Sequence, residues 1–480
     1  MMIVINEDND NFFKYPSQYM TRESLEKYID FYAATCATHF FMCPNGQRTS
    51  YRSNVHEAIW EELPGNVIPD NIWPVNAKKL FDQGINPYQV WISRCREKGI
   101  SPWISMRMND VHFTDNFNYF RVTNFHRYHP ELHRLPPEES KSWDDYAFDY
   151  SKQEVYDYHM ALVKELVDIY DVDGYEFDWL RWPCCFSPNK EEEQKHILTQ
   201  FIAESRAYID KVRGKEVKLG VRVYSTPEYT TGCGFDIVNW VKEAGVSLIT
   251  ASGFYNSIEP EFSIRQWKDF LGDAGKDVII LPATDHGSAP APSLPRTPLS
   301  AADFRGWADV VLSDGFPGIY FFNIPYSLRE EQELPQMPED AIGKMLMTED
   351  FSPEALAAKE RRYVVSYREP AYFRPPELIQ LPAALPAKLN IRTGNAAASG
   401  KVTIQIALRN KSAASFWMPD PNAAEVTEVL LNGVKCPFTR QNGNIIANAD
   451  ENTKLQKRNI IEIKGSSSLE VISAAISVRP

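Results

Sequence analysis

The chain has 480 residues, 43% of them hydrophobic and 24% charged, with a formal net charge of −13. That length is too great for one small domain and suits a barrel of about 250 residues or more with one accessory module. The acidic balance argues against nucleic acid or an anionic membrane as the main partner, because neutralising phosphate needs lysine and arginine in excess.

The N-terminus, Met1-Met-Ile-Val-Ile-Asn-Glu-Asp8, turns polar and acidic after five apolar residues and carries no signal peptide pattern. Nor is there an apolar run of transmembrane length. The expectation is a cytoplasmic protein, or an exported one whose leader is absent from this chain, with no membrane insertion. Short apolar runs then alternate with longer helical patterns, the signature of a parallel βα fold. Eight strands are expected, at Met2–Asn6, Thr38–Cys43, Ser101–Arg107, Gly174–Asp178, Val217–Val223, Val246–Ala251, Val278–Pro282 and Gly318–Asn323. Helical patterns lie between them at Thr21–Thr35, Pro87–Lys98, Lys152–Tyr170, Lys190–Arg213, Phe235–Ala244, Ile264–Leu271 and Ala301–Ser313. Eight such steps suggest a (β/α)8 barrel, whose active-site face is built at the C-terminal ends of the strands.

Polar residues crowd those ends. In order they are Asn6, Asp8 and Asp10; Asn45; Arg107, Asn109, Asp110 and His112; Glu176, Asp178 and Arg181; Arg222, Tyr224 and Glu228; Tyr255 and Asn256; Asp285 and His286; Asn323 and Tyr326. Helix N-caps explain some of the Asp and Asn. They do not explain Arg107 and Arg222 so close to strand interiors, where both are natural partners for a buried Glu176.

The densest stretch is Asp171-Val-Asp-Gly-Tyr-Glu-Phe-Asp-Trp-Leu-Arg-Trp-Pro183. Alternation along a strand puts Glu176 and Asp178 on one face and Tyr175 and Phe177 on the other. Two carboxylates so close perturb each other, which serves acid–base chemistry but also occurs in structural ion-pair networks. Trp179, Arg181 and Trp182 follow at once, a rim of flat apolar faces and a fixed cation that suits a sugar ring or plain loop packing.

Two connections are long. Asp110–Asp149 carries nine aromatic residues beyond its histidines, Phe120, Phe125, Tyr128, Trp143, Tyr146 and Phe148 among them, too many for disorder, and is expected to fold over the mouth. Its His126, His129 and His133 have the spacing of one helix face, so packing or substrate contact stands ahead of metal. Ala283–Pro298 holds Asp285, His286 and four prolines, which stiffen it as a rim. The seven cysteines are odd in number and irregular, which makes no disulfide framework. Cys184 and Cys185 have no second pair at zinc spacing, and neither metal nor cofactor is expected.

Past Tyr326 a helical closure runs into a proline-studded connection. From Pro376 onward only Phe416, Trp417 and Phe438 are aromatic, and Lys401–Leu408, Glu425–Leu431, Ile460–Ile463 and Leu469–Val478 read as strands. That pattern predicts a small all-β sandwich, more suited to a structural cap than to a sugar-binding module. The expected division is a barrel over 1–355, a linker over 356–385 and a β-sandwich over 386–480.

At Asp173-Gly-Tyr-Glu-Phe-Asp178 the sequence resembles the glycoside-hydrolase-like (β/α)8 barrel superfamily, with weaker support from Arg107-Met-Asn-Asp110 and His129-Pro-Glu131. The resemblance covers about the first 340 residues and is nearest to glycosyl-hydrolase-like barrel proteins. It implies a catalytic acid delivered by the fourth strand, at Asp178. Alpha-amylase-type barrels carry arginine where Glu176 stands, and chitinase-type barrels place their acid where Leu180 stands, so the chain departs from both.

The function expected is that of a glycosidase with two carboxylates. Asp178 is one, and Glu176, Glu228, Asp285 and Asp110 compete for the second role. Trp179, Trp182 and Tyr224 would form a sugar platform. Arg107, Asn109, Asp110, His112, Arg181, Arg222, His286 and Asn323 complete the expected substrate contacts. The partner is then an oligo- or polysaccharide. A barrel that binds carbohydrate without cleaving it is the alternative, since fold does not imply activity.

Overall fold

The computed structural model describes residues 1–61, 71–180, 182–253, 258, 263–285, 287–288, 297–323, 349–365, 380–395, 400–411, 425–441, 444–450 and 453–480, with backbone alone at 287–288 and 297–298. Arg181, Tyr255, Asn256, His286 and Tyr326 lie outside the described residues.

Eight parallel strands close into a barrel: β1 Met2–Glu7, β2 His39–Met42, β3 Ser101–Arg107, β4 Gly174–Asp178, β5 Lys218–Tyr224, β6 Leu248–Ser252, β7 Ile279–Thr284 and β8 Gly318–Phe322. Each occurs where the apolar pattern places it. Around them stand α1 Arg22–Ala33, α2 Ile72–Asp82, α3 Pro87–Glu97, α4 Asn124–Tyr128, α5 Gln153–Ile169, α6 Glu191–Arg213, α7 Pro227–Gly232, α8 Ile237–Ala244, α9 Ile264–Leu271, α10 Ala301–Ser313 and α11 Pro353–Ala357. Helices α2, α4, α7 and α11 have no counterpart in the expected pattern. Three of these four are only five or six residues long, too short to show a period.

Alternation sends one side chain in two to the barrel axis. The lowest interior layer is apolar, with Val4, Phe41, Trp103, Leu248, Leu281 and Tyr320 among its members. Trp103 stacks on Phe41 with ring centroids 4.6 Å apart. Its indole lies across β4, where a Cβ on Gly174 would sit 2.6 Å from three ring atoms. The glycine of the Asp-Gly-x-x-x-Asp motif is therefore a steric requirement of the tryptophan on the next strand. Above this floor the interior turns polar: Arg107, Asp178 and Arg222 are level across β3, β4 and β5.

A β-sandwich follows. One sheet has the order β9 Arg361–Val365, β16 Leu469–Arg479, β11 Lys401–Asn410, β14 Asn444–Asn448, β13 Phe438–Gln441, with Ala383–Ala384 beside β16. The other has β10 Ala387–Arg392, β15 Arg458–Gly465, β12 Val426–Leu431 and Val434–Lys435. Its inner faces bury Leu389, Ile404, Val429, Ile461, Val471 and Ile476. Strand β9 falls within the stretch expected to be a linker. It docks on α10 through Arg362 to Asp303 at 2.7 Å and through Tyr363, whose hydroxyl donates to Asp309 at 2.5 Å. A Cβ on Gly306 would lie 2.2 Å from the Arg362 carbonyl, so α10 approaches β9 at backbone distance.

Candidate active site

Two polar clusters sit at and just below the C-terminal ends of the strands. The deeper one centres on Glu176, which is fully buried. Ser105 and Tyr320 donate their hydroxyls to its Oε1 at 2.7 and 2.8 Å, and Thr250 donates to Oε2 at 2.9 Å. Burial, followed by the charge of Asp178, raises the carboxyl to about 7, against those hydroxyls and Arg222. Neither Arg107 nor Arg222 hydrogen-bonds it, which corrects the expected pairing. Three strands supply hydroxyls instead, because the position lies one layer below the arginines.

Asp178 stands one layer higher. Arg222 Nη1 approaches its Oδ2 at 3.0 Å and its Oδ1 at 3.2 Å, and the Leu180 amide donates to Oδ1 at 3.1 Å. Both partners are buried. Arg222 Nη2 donates to Ser252 at 3.1 Å, and its guanidinium lies 3.8 Å over the Phe322 ring. A cation stacked on one side and hydrogen-bonded on the other holds the carboxylate in a fixed direction.

The second cluster links β1, β3 and β8. Arg107 donates to Asp8 Oδ1 at 2.6 Å and to Asp110 Oδ2 at 2.8 Å. Asn323, at φ 59°, donates to Asp8 Oδ2 at 3.2 Å. Asp110 also receives the backbone amide of His112 and faces its Nδ1 at 2.8 Å. Burial alone would raise the Asp110 carboxyl; His112 and Arg107 outweigh it and hold the group well below the usual carboxylate range. A cleft of about 230 Å³ opens here, lined by Asn9, Gln47, Trp73, Arg107, Asp110, His112 and Arg121 among others. The insert forms one of its walls, for Arg121 reaches Asp10 at 3.3 Å and stacks over Trp73 at 4.8 Å.

Several expected contacts lie elsewhere. Trp179 is 1% exposed and packs on Tyr150, Phe201, Phe235 and Trp240 in the helical layer. Its odd position in the strand phase turns it away from the mouth, so it is no sugar platform. Asn109 donates to the carbonyls of Phe148 and Cys184 and accepts the Phe148 amide, pinning the insert rather than facing a ligand. Glu228 is exposed on the first turn of α7. Trp182 meets His112 edge-on at 4.3 Å beside Val111 and Cys184. Tyr224 continues the inward phase of Arg222 and is buried. Asp285 follows β7 in the inward phase of Leu281 and Ala283, and is 6% exposed.

Ser105, Thr250, Tyr320 and Arg121 join these clusters without having been singled out by residue pattern, and Asp8, noted only among the polar strand ends, joins them too. Asp144, in the insert, has its carboxyl raised to about 6 by burial and then by Asp145. Asp8 was visible as one of several acids after β1, but nothing in the residue string separates it from Asp10. His126 and His133 stack at 4.1 Å with their Nε2 atoms on backbone carbonyls. Among the described residues no group of three or more His, Cys, Asp or Glu is arranged to hold a metal ion, and no helix is long and apolar enough to cross a membrane.

In fold, the chain is a (β/α)8 barrel carrying a β-sandwich. No protein-family model matches it, and no curated protein matches it in sequence. Among solved structures it is similar to the maltogenic alpha-amylase AmyB from Thermotoga neapolitana, with a TM-score of 0.42 and 12% identity over 97% of this chain and 99% of that one. Alpha-L-fucosidase isoenzyme 2 from Paenibacillus thiaminolyticus matches with a TM-score of 0.42 and 8% identity over 97% and 99%. The glycoside hydrolase domain of PgaB (BpsB) from Bordetella bronchiseptica gives 0.43 and 10% over 70% and 99%. Similarity at this level bears on neither the reaction nor the role of any residue.

Proposed function

We propose that the protein is a glycoside hydrolase that cleaves O-glycosidic bonds with two carboxylates at the C-terminal face of its barrel. The observation that carries this reading is Asp178, a carboxylate held by both oxygens to Arg222 on the inward face of β4. Oriented by that pair, it fits the role of nucleophile or of base toward water. Glu176 is too enclosed to touch a substrate and tunes the layer above it. Asp110, held ionised by Arg107 and His112, is poorly placed on the proton scale to act as a donor. Asp285 and Asp144 remain for the general acid, and the raised Asp144 carboxyl matches what a donor needs near neutral pH.

The test uses aryl glycosides with good and poor leaving groups. Replacing Asp178 by Asn removes turnover of both kinds; replacing the general acid removes it only for the poor leaving groups, which need protonation. Full activity in the Asp178 variant ends the assignment. A carbohydrate-binding barrel without catalysis is the second reading, favoured by the 3% exposure of Asp178. Sugar binding without cleavage of any glycoside by the wild type would establish it.

A further inference from the structure

The cleft between the β1, β2 and β3 ends has an imbalance that the reaction does not use. Its charged lining is Arg48, Arg107 and Arg121 against Asp110, in a chain whose net charge is −13. Arg48 is spent on the carbonyls of Ala58 and Val122. Arg107 and Asp110 answer each other. Arg121 is only partly answered. Asp10 takes Nη2, Nε is buried with no partner among the described residues, and the side chain keeps 22% of its exposure.

Gln47 lines the same cleft and is 9% exposed. Its Oε1 accepts the Thr123 amide at 3.2 Å, which fixes the amide orientation and leaves Nε2 as a buried donor without a partner. Asn9 Nδ2 is a third such donor on the wall. Asp10, whose Oδ1 is an unpartnered acceptor, does not line the cleft. Buried donors that have already lost water regain free energy when an acceptor reaches them. Sugar hydroxyls both donate and accept, whereas a carboxylate only accepts. A wall whose unused capacity is all N–H, with a guanidinium stacked on Trp73, therefore selects an acceptor-only, negatively charged group.

We propose that this cleft binds the carboxylate of an acidic sugar, a uronic acid residue, through Arg121, Gln47 and Asn9. Most of the 230 Å³ is the mouth open to solvent, and the enclosed part has room for little more than one water-sized group, so the carboxylate is what enters it and the sugar ring rests at the mouth. This deepens the glycosidase reading and rests on it for the bond that is cut. The binding itself does not depend on turnover.

The experiment is calorimetric titration of the full chain at low salt with D-glucuronic and D-galacturonic acids, with D-glucose and D-galactose, and with acetate. A uronate should bind at least about tenfold tighter than its neutral parent, as a charge-assisted pair requires, and tighter than acetate. Gln47→Glu keeps the acceptor for Thr123 and replaces the free donor by an anionic oxygen, and should erase the preference. Gln47→Leu, which removes the donor without adding charge, should weaken it by about tenfold. Equal affinity for neutral sugars, no binding by any probe, acetate binding as tightly as the uronates, or an unchanged preference in both Gln47 variants overturns the proposal. Uronate preference together with no cleavage of any glycoside, aryl glucuronides and galacturonides included, would instead sink the glycosidase reading and leave the binding site standing.

Discussion

Arg222 on β5 and Asp178 on β4 form a buried pair at 3.0 and 3.2 Å, level with each other across adjacent strands. Removing one partner of such a pair strands the other charge, which costs about 3–5 kcal/mol. Asp178→Asn should therefore lower stability by about 3 kcal/mol as well as abolish turnover, reducing kcat by at least about a thousandfold. Denaturant unfolding and single-turnover kinetics on the same preparation separate the two losses. A variant with native stability and native kcat contradicts both.

Glu176 sets a dependence of stability on pH. Its folded value of about 7 lies above the unfolded value of 4.5, so between those limits the folded state holds a proton that the unfolded state has released. Stability should fall as pH rises through this window and level off above it, by on the order of 3 kcal/mol. In Glu176→Gln that component is absent. Comparing denaturant midpoints of the two proteins at pH 5 and pH 7.5 reads the difference; parallel pH profiles would count against it.

The histidines act in the opposite sense. His56 and His126 are buried and their imidazoles are lowered to about 4 and about 3, chiefly by desolvation; His133 is lowered to about 4 and His159 well below the usual range for the same reason. Between their folded and unfolded values the unfolded chain binds protons that the folded chain refuses. Stability is then complete above about pH 6.5 and lost on acidification, with a slope reaching about 5 kcal/mol per pH unit if all four contribute. Acid unfolding followed by near-ultraviolet circular dichroism should show an uptake of about four protons. An uptake below one would mean that these rings are charged in the folded protein.

The Gly174–Trp103 contact predicts a steric coupling. Gly174→Ala puts a methyl 2.6 Å from the indole and should cost about 3 kcal/mol by overpacking. Combined with Trp103→Leu, the loss should be smaller than the sum of the two single losses by about 1 kcal/mol or more. Strict additivity would show that the ring is free to move aside.

Asp144 and Asp285 are separated by a pH profile. If Asp144 donates the proton, kcat/KM on poor leaving groups declines above about pH 6, and Asp144→Asn removes that limb. A limb unchanged in Asp144→Asn but lost in Asp285→Asn assigns the role to Asp285.

What residue order determined is the architecture. Eight apolar runs of four to seven residues, separated by helix-length patterns, have one economical solution in a closed parallel barrel, because each strand must bury both faces. Period-two alternation likewise placed Glu176 and Asp178 on one face, and the same rule, carried one residue further, sends Trp179 outward. Which partner each charge takes was decided only by closing the sheet. Register brings Arg222 level with Asp178, leaves Glu176 to hydroxyls from β3, β6 and β8, and turns Arg107 toward Asp8, ninety-nine positions away in sequence. Those pairings depend on distances of a few ångströms between strands remote along the chain, and local pattern carries no information at that separation. Only the folded barrel could therefore show that the acids and arginines form two clusters and that a donor-rich cleft opens beside them.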